Sequence, residues 1–287
     1  MKRVVNLVIS GVVQIGDMLA RSVGRLLGRK PRATAVVLAY HAITTGQRER
    51  FGRQMDLLLR LAKPVHANLK SRPSQGGRYA AITFDDGLQS VVDNALPELK
   101  KRGIPATLFI VTEALGGPPN WQSFESGNAA HEMIMSAEQL KALPSDLVAI
   151  GSHTMTHPVL TAISEEELQR ELIGSRAKLE KILDREVKLF SFPYGASNAV
   201  VFDTCRKAGY ERVFTALPVL AFCETNEFVT GRVRIEPTDW SLEFRLKLAG
   251  AYRWLPTAYV WKRKLLNGFR RVPKTSSAVV REEKKIA

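Results

Sequence analysis

From about residue 35 to 250, short runs of strand type alternate with stretches of helical periodicity, and this rhythm constrains the fold more than any other feature. Strand-type runs stand at 35–41, 79–84, 106–111, 147–151, 187–192, 212–216 and 228–235. Helical spacing fills 47–63, 89–102, 136–143, 198–208 and a segment from 241. A capping box, Ser164 with Glu167, opens one more helix that runs to about Asp184. Gly103 and Gly209 stop two of the helices. Apolar runs such as 106–111 suit strands covered on both faces. Strands alternating with helices imply a parallel β/α sheet or barrel. Two stretches break the rhythm. Residues 71–77, Ser-Arg-Pro-Ser-Gln-Gly-Gly, read as a loop. Residues 114–135, with Gly-Gly-Pro-Pro-Asn-Trp, read as a long surface excursion.

Barrels of this kind carry their chemistry at the C-terminal ends of the strands, and there the polar residues collect. They are His41, Asp85-Asp86, Ser152-His153-Thr154-Met155-Thr156-His157-Pro158 and Pro193-Tyr194-Gly195. Adjacent carboxylates repel, so Asp85-Asp86 calls for a cation beside one of them. His153 and His157 are four apart, and a helical turn or tight loop puts both imidazoles on one side. Two histidines and one carboxylate leave coordination positions open, which is the pattern of a catalytic metal site.

Thr83-Phe84-Asp85-Asp86-Gly87, Ser152-His153-Thr154-Met155-Thr156-His157 and Phe192-Pro193-Tyr194-Gly195 resemble, in order and spacing, the first three motifs of the polysaccharide deacetylase family, the NodB-homology or carbohydrate esterase 4 group. The resemblance covers roughly 35–250. It implies a distorted, incomplete (β/α) barrel with fewer than eight strands, and metal-dependent removal of N-acetyl groups from an amino-sugar polymer or oligosaccharide. It assigns Asp86, His153 and His157 to the metal, Zn²⁺ with Co²⁺, Ni²⁺ or Mn²⁺ as substitutes. It makes Asp85 the general base and gives the Tyr194 backbone N–H to the oxyanion. Tyr40-His41 is similar to the start of exopolysaccharide-type deacetylases, which makes His41 the candidate general acid; the alternative is a histidine packed on the barrel floor. Ser191 stands where the family often has an arginine that orients the base, and Arg232 or Arg234 could supply it. Glu236 stands at the first acidic position of the fourth motif, and the late Leu-x-His motif is missing. His66 and His131 fall in irregular stretches and read as solvated. Two rival functions share these residues: a deformylase or deacetylase of a lipid-linked sugar, and a catalytically inactive carbohydrate-binding relative.

The formal charge of +14 sits at the two ends. Residues 1–33 hold seven Lys/Arg and one Asp, residues 253–287 hold ten Lys/Arg and two Glu, and the middle is neutral. A neutral centre argues against a nucleic-acid groove, whereas basic ends suit an anionic membrane surface. The organisation expected is a basic amphipathic helix at 1–33, a barrel at 34–250, and a basic, aromatic helix and tail at 251–287, with 273–287 disordered. Residues 3–27 set Asn6, Ser10, Gln14, Asp17, Arg21 and Arg25 against a wide arc of Val, Ile and Leu. Three readings stay open for this helix: an interfacial membrane helix, a signal peptide, and a helix packed on the core. A spanning helix is disfavoured as too short and too polar. The location expected is peripheral to the membrane on its cytoplasmic face, with export as the alternative. Cys205 and Cys223 make no metal or disulfide framework and read as free, core-type cysteines, one disulfide being the alternative.

Overall fold

The computed structural model describes residues 1–71, 76–121 and 132–268. His131, most of the 71–77 loop, the centre of the 114–135 excursion and the 273–287 tail lie outside the described residues.

Nine strands form one sheet, with every pairing between strands parallel. They are β1 (Thr34–Tyr40), β2 (Lys63–Pro64), β3 (Arg78–Phe84), β4 (Ala106–Ile110), β5 (Val148–Ser152), β6 (Leu189–Ser191), β7 (Arg212–Phe214), β8 (Val229–Thr230) and β9 (Val233–Arg234). Their order is β8-β7-β6-β5-β4-β3-β1-β9, with β2 on the side of β3. The outermost strands, β8 and β9, are separated only by Gly231-Arg232. Two residues span a few ångströms, so the chain itself brings the two sheet edges together. β1, β3 to β7 and the interrupted β8–β9 stave make a barrel with fewer than eight staves. The single strand expected at 228–235 is thus two short ones. Gly231 permits the step between them: a Cβ there would lie 2.3 Å from a Val219 methyl and 2.4 Å from the Leu217 carbonyl oxygen. A close backbone approach is the ordinary reason for glycine inside a strand pattern.

Helices α1 (Lys2–Leu26), α2 (Arg48–Leu61), α3 (Leu96–Arg102), α4 (Ala137–Lys141), α5 (Glu165–Leu183), α6 (Ala199–Lys207), α7 (Ser241–Leu248) and α8 (Leu255–Gly268) accompany the strands. The Ser164–Glu167 capping box forms as expected, and Gly103 ends α3 in the left-handed region. The helix expected at 89–102 begins instead as a wide π turn over Val91–Ala95. Below the strand ends, Tyr40, Phe51 and Phe84 are fully buried with ring centroids 5.4–5.9 Å apart. A phenylalanine buried in this way contributes about 1.5–3 kcal/mol. Two of these rings directly precede His41 and Asp85, so core packing fixes where those side chains emerge. Cys205 is buried and Cys223 exposed, and both are free; Cys223 is therefore not a core cysteine.

α1 differs from two expectations. Its 25 residues correspond to about 37 Å at 1.5 Å per residue, and an 18-residue window reaches a mean hydropathy of 1.4. By length and composition it can cross a membrane, because most of its charges stand at its ends. It also does not pack its apolar face on the barrel. Ser10 is its fully buried residue and hydrogen-bonds Trp254 Nε1 at 2.9 Å. Asp17 accepts two bonds from Arg253, at 2.6 and 2.8 Å, and Arg3 donates to Glu243 at 2.8 Å. The polar stripe faces the body, together with the partly buried Leu7 and Val13, and Val8, Val12, Ile15 and Leu19 face outward, each at least 60% exposed.

Candidate active site

Because the strands are parallel, the residues that follow them meet at one rim. Asp85 and Asp86 follow β3, His153 follows β5, Ser191 ends β6, and Arg232 stands in the step between β8 and β9. The structure brings Asp86, His153 and His157 together: one ligand atom from each lies within 4.8 Å of the others. Nε2 of His153 and Nε2 of His157 stand 3.6 and 3.5 Å from Asp86 Oδ1. The His153 Nδ1–H donates to the Ser191 carbonyl at 2.8 Å, which leaves the Nε2 lone pair facing Asp86. Burial pushes the His153 pKa down to about 4; burial and the neighbouring His153 take His157 to about 2. Both rings are therefore neutral at pH 7, the form that ligates metal. Burial and the charge of Asp85 push the Asp86 carboxyl well up. Two neutral imidazoles around a carboxylate that is costly to ionise alone fit a divalent cation.

His153 and His157 sit on a loop, not a helix, and the loop is held from outside. Glu171 on α5 accepts from the backbone N–H of Met155 (2.7 Å) and of Thr156 (3.0 Å), and from Thr156 Oγ1 (2.6 Å). The Thr154 hydroxyl caps the His157 N–H at 2.9 Å. Of the seven non-glycine residues with positive φ among those described, four are here: Asp86, Thr154, His157 and Tyr194. Each carries strain of order 1–3 kcal/mol, which persists where surrounding contacts over-determine the backbone. Gly87 and Gly195 follow in the same left-handed region.

Asp85 has a different environment. Arg232 donates to both of its carboxylate oxygens at 2.7 Å, and also to Ser191 Oγ at 2.7 Å and Thr83 Oγ1 at 3.2 Å. Arg232 is buried, with its guanidinium 5.3 Å from the Phe109 ring centre. Burial alone would raise the Asp85 carboxyl; the charge of Arg232, that of His153 and the Arg232 hydrogen bonds outweigh it and hold the carboxyl well below the usual range. Arg232 thus occupies the place left by Ser191, and the serine binds it. Arg234 is largely exposed and pairs with Glu236 at 2.8 Å, away from Asp85.

His41 lies close enough for its charge to act on Asp85, His153 and His157, and its Nδ1 is buried without a hydrogen-bond partner among the described residues. Burial lowers its pKa; Asp85 opposes this, and Arg234 and Arg232 add to it. Tyr194 packs its half-exposed ring edge-on to His157, centroids 4.7 Å apart. Trp121, from the excursion, stacks on His157 at 4.6 Å. The sequence sets it in Pro-Pro-Asn-Trp within that excursion, with no local sign that it turns toward the site. His66 is partly buried and stands with Val148, Leu189 and Arg212 at the opposite ends of the strands, remote from the site.

A set able to hold a metal beside an ionised carboxylate, at the C-terminal rim of a parallel barrel, is the arrangement of a metal-dependent hydrolase. Residues 72–213, just under half of the chain, match the polysaccharide deacetylase family. Members of the family are hydrolases acting on N-acetyl amide bonds. YxkH of Bacillus subtilis, named for the same family, is 26% identical over 214 residues, 70% of this chain and 71% of that one. Poly-β-1,6-N-acetyl-D-glucosamine N-deacetylases of Staphylococcus aureus are 27% identical over 178 residues, which span 59% of this chain and 58% of theirs. The solved structure of IcaB from Ammonifex degensii superposes with a TM-score of 0.64 at 26% identity, covering 78% of this chain and 98% of that one.

Replacing Arg232 tests its part. Breaking a buried ion pair costs about 3–5 kcal/mol, so Arg232→Met is expected to lower Tm and to raise the Asp85 pKa. The acid limb of the kcat/KM–pH profile then moves to higher pH. Arg232→Lys keeps the charge, loses the two-pronged geometry, and moves the limb less. An acid limb unmoved in Arg232→Met would show that Arg232 does not set the state of Asp85.

Proposed function

We propose that this chain removes N-acetyl groups from an amino-sugar exopolysaccharide, with Zn²⁺ as its resident ion and Co²⁺, Ni²⁺ or Mn²⁺ able to replace it. The observation that carries the reading is the pairing of two unlike carboxylates. Asp86 stands in a cation-shaped set with His153 and His157, and Asp85 is held ionised beside it by Arg232. The ion, when bound, acidifies water and polarises the acetyl carbonyl. Asp85 accepts the proton of the attacking water; Arg232 occupies one lone pair on each Asp85 oxygen and leaves the others available. The Tyr194 N–H donates to the carbonyl oxygen as charge builds on it. His41 gives a proton to the amine as the C–N bond breaks, and acetate leaves. Before the water attacks, while Asp85 is still ionised, its charge favours the protonated form of His41.

The staphylococcal relatives are named for a β-1,6-linked N-acetylglucosamine polymer, which supports a substrate of that chemistry here. It also supports export: relatives that work on exopolysaccharide favour the outer side of the membrane over the cytoplasmic face. α1 then holds the exported protein at the membrane. The intact Asp-His-His set and the Arg232–Asp85 pair weigh against an inactive binding protein. The test is acetate and formate release by the Zn²⁺-loaded protein from β-1,6-linked N-acetylglucosamine oligomers, chito-oligosaccharides and lipid-linked sugars. Acetate from the β-1,6 oligomers is expected. No acetate from any N-acetylated glycan would sink the reading.

A further inference from the structure

We infer that α1 lies in the plane of an anionic bilayer and holds the barrel on its side, so that the catalytic rim opens along the membrane surface. The inference rests on the deacetylase reading only for the identity of the substrate.

The first observation is the inverted docking of α1. A surface helix ordinarily buries its apolar stripe. Here Arg3, Ser10 and Asp17 bind the body through Glu243, Trp254 and Arg253, and the apolar stripe is left outside. Aromatic residues outside α1 are exposed as well. Trp240, under the Arg3 guanidinium at 4.5 Å, is half exposed, and Tyr259 and Trp261 of α8 are exposed. Aromatic residues flanking an apolar helix face are the composition of a headgroup interface.

The second observation selects lipid as the occupant. Residues 1–33 hold seven Lys/Arg against one Asp, and that Asp17 is neutralised by Arg253. Basic residues beside an apolar face attract anionic headgroups by about 1 kcal/mol each.

The third observation gives the orientation. Arg3, at the start of α1, donates to the Thr238 carbonyl at 3.0 Å, in the loop after the C-terminal end of β9. Asp17 and Arg21 act on Arg78, at the N-terminal end of β3. α1 therefore runs along the barrel wall from the catalytic rim to the opposite one. An in-plane α1 lays the barrel axis along the bilayer. The substrate this geometry accepts is an acetylated glycan lying at the membrane surface, entering edge-on.

The experiment uses the full chain and vesicles of phosphatidylglycerol with phosphatidylcholine, or of phosphatidylcholine alone. Flotation with the anionic vesicles is expected, weakening with salt. Val12→Asp with Leu19→Asp is expected to reduce vesicle binding by about tenfold or more, with acetate release from a short soluble oligomer unchanged. Those residues are exposed, so soluble activity also reports an intact fold. Spin labels at Val12→Cys and Leu19→Cys, in a Cys223→Ser background, should report equal, shallow depth. A graded depth would make α1 a spanning anchor and overturn the inference. So would binding unaffected by the two aspartates, a mature protein lacking α1, or dimerisation through this face without vesicle binding. Failure of acetate release with vesicle binding intact would strike the deacetylase reading alone.

Discussion

Asp85→Asn is expected to slow deacetylation by about 10²–10⁴-fold, the usual scale for loss of a general base, while the protein keeps its metal. The second half of the statement matters as much as the first. Asp85 and Asp86 are neighbours in the chain but not in environment: Asp85 faces Arg232, and Asp86 faces the two histidines. An amide at 85 removes the proton acceptor and leaves the cation set untouched. It also leaves a buried arginine without its counter-charge, which is destabilising in itself. Two measurements separate these effects. Metal content by elemental analysis and Tm report the fold. The double variant Asp85→Asn with Arg232→Gln removes the uncompensated charge, so it should recover Tm and stay inactive. Turnover unchanged in Asp85→Asn would remove the base assignment.

His153→Ala is expected to abolish both metal and activity. The wild-type protein should hold about one divalent ion, and the variant none after dialysis; stoichiometric metal in the variant would refute the ligand set. The two histidines also set a pH dependence. In the metal-free protein their pKa values lie below the ordinary histidine value, at about 4 and about 2. The unfolded chain then takes up protons first, so stability falls as pH drops from about 6.5 toward 4. Asp86 has the opposite sign. Its folded carboxyl is raised, so ionising it costs the metal-free fold progressively more as pH rises. A bound cation removes that cost. The gain in Tm on adding Zn²⁺ should therefore be larger at pH 8 than at pH 5, which calorimetry reads directly.

Most of this site was legible in the sequence because its ligands come in local clusters. Asp85-Asp86, His153 with His157 and Pro193-Tyr194-Gly195 each sit where a strand-type run ends, and strand ends on a parallel barrel converge. What was not legible is long-range. Arg232 meets Asp85 across a separation of 147 residues; in the sequence it and Arg234 are equal candidates two positions apart, one inward and one outward. Gly231 was the available clue, since glycine inside a strand run signals a bulge or a close approach. Glu171 is one acid among several on a helix, and nothing local says that it clamps the His153–His157 loop. α1 shows the limit of periodicity. The pattern separates two faces but does not say which one turns inward; core packing of the apolar side, one of three readings left open, is limited here to Leu7 and Val13, because the body offers Glu243, Trp254 and Arg253 to the polar side.

The two-residue step at Gly231-Arg232 has a consequence for how the enzyme comes into being. The residue that joins the sheet edges is also the one that keeps the base ionised. A chain that has assembled β1 through β7 and not yet docked residues 229–234 contains every metal ligand but no counter-charge for Asp85. Buried without Arg232, that carboxyl drifts upward and keeps its proton. Arg232 reaches Asp85 across 147 residues of chain, so the counter-charge is present only where the two sheet edges are joined. The same two residues that join the sheet edges thus set the charge state of the carboxylate beside the Asp86–His153–His157 cluster.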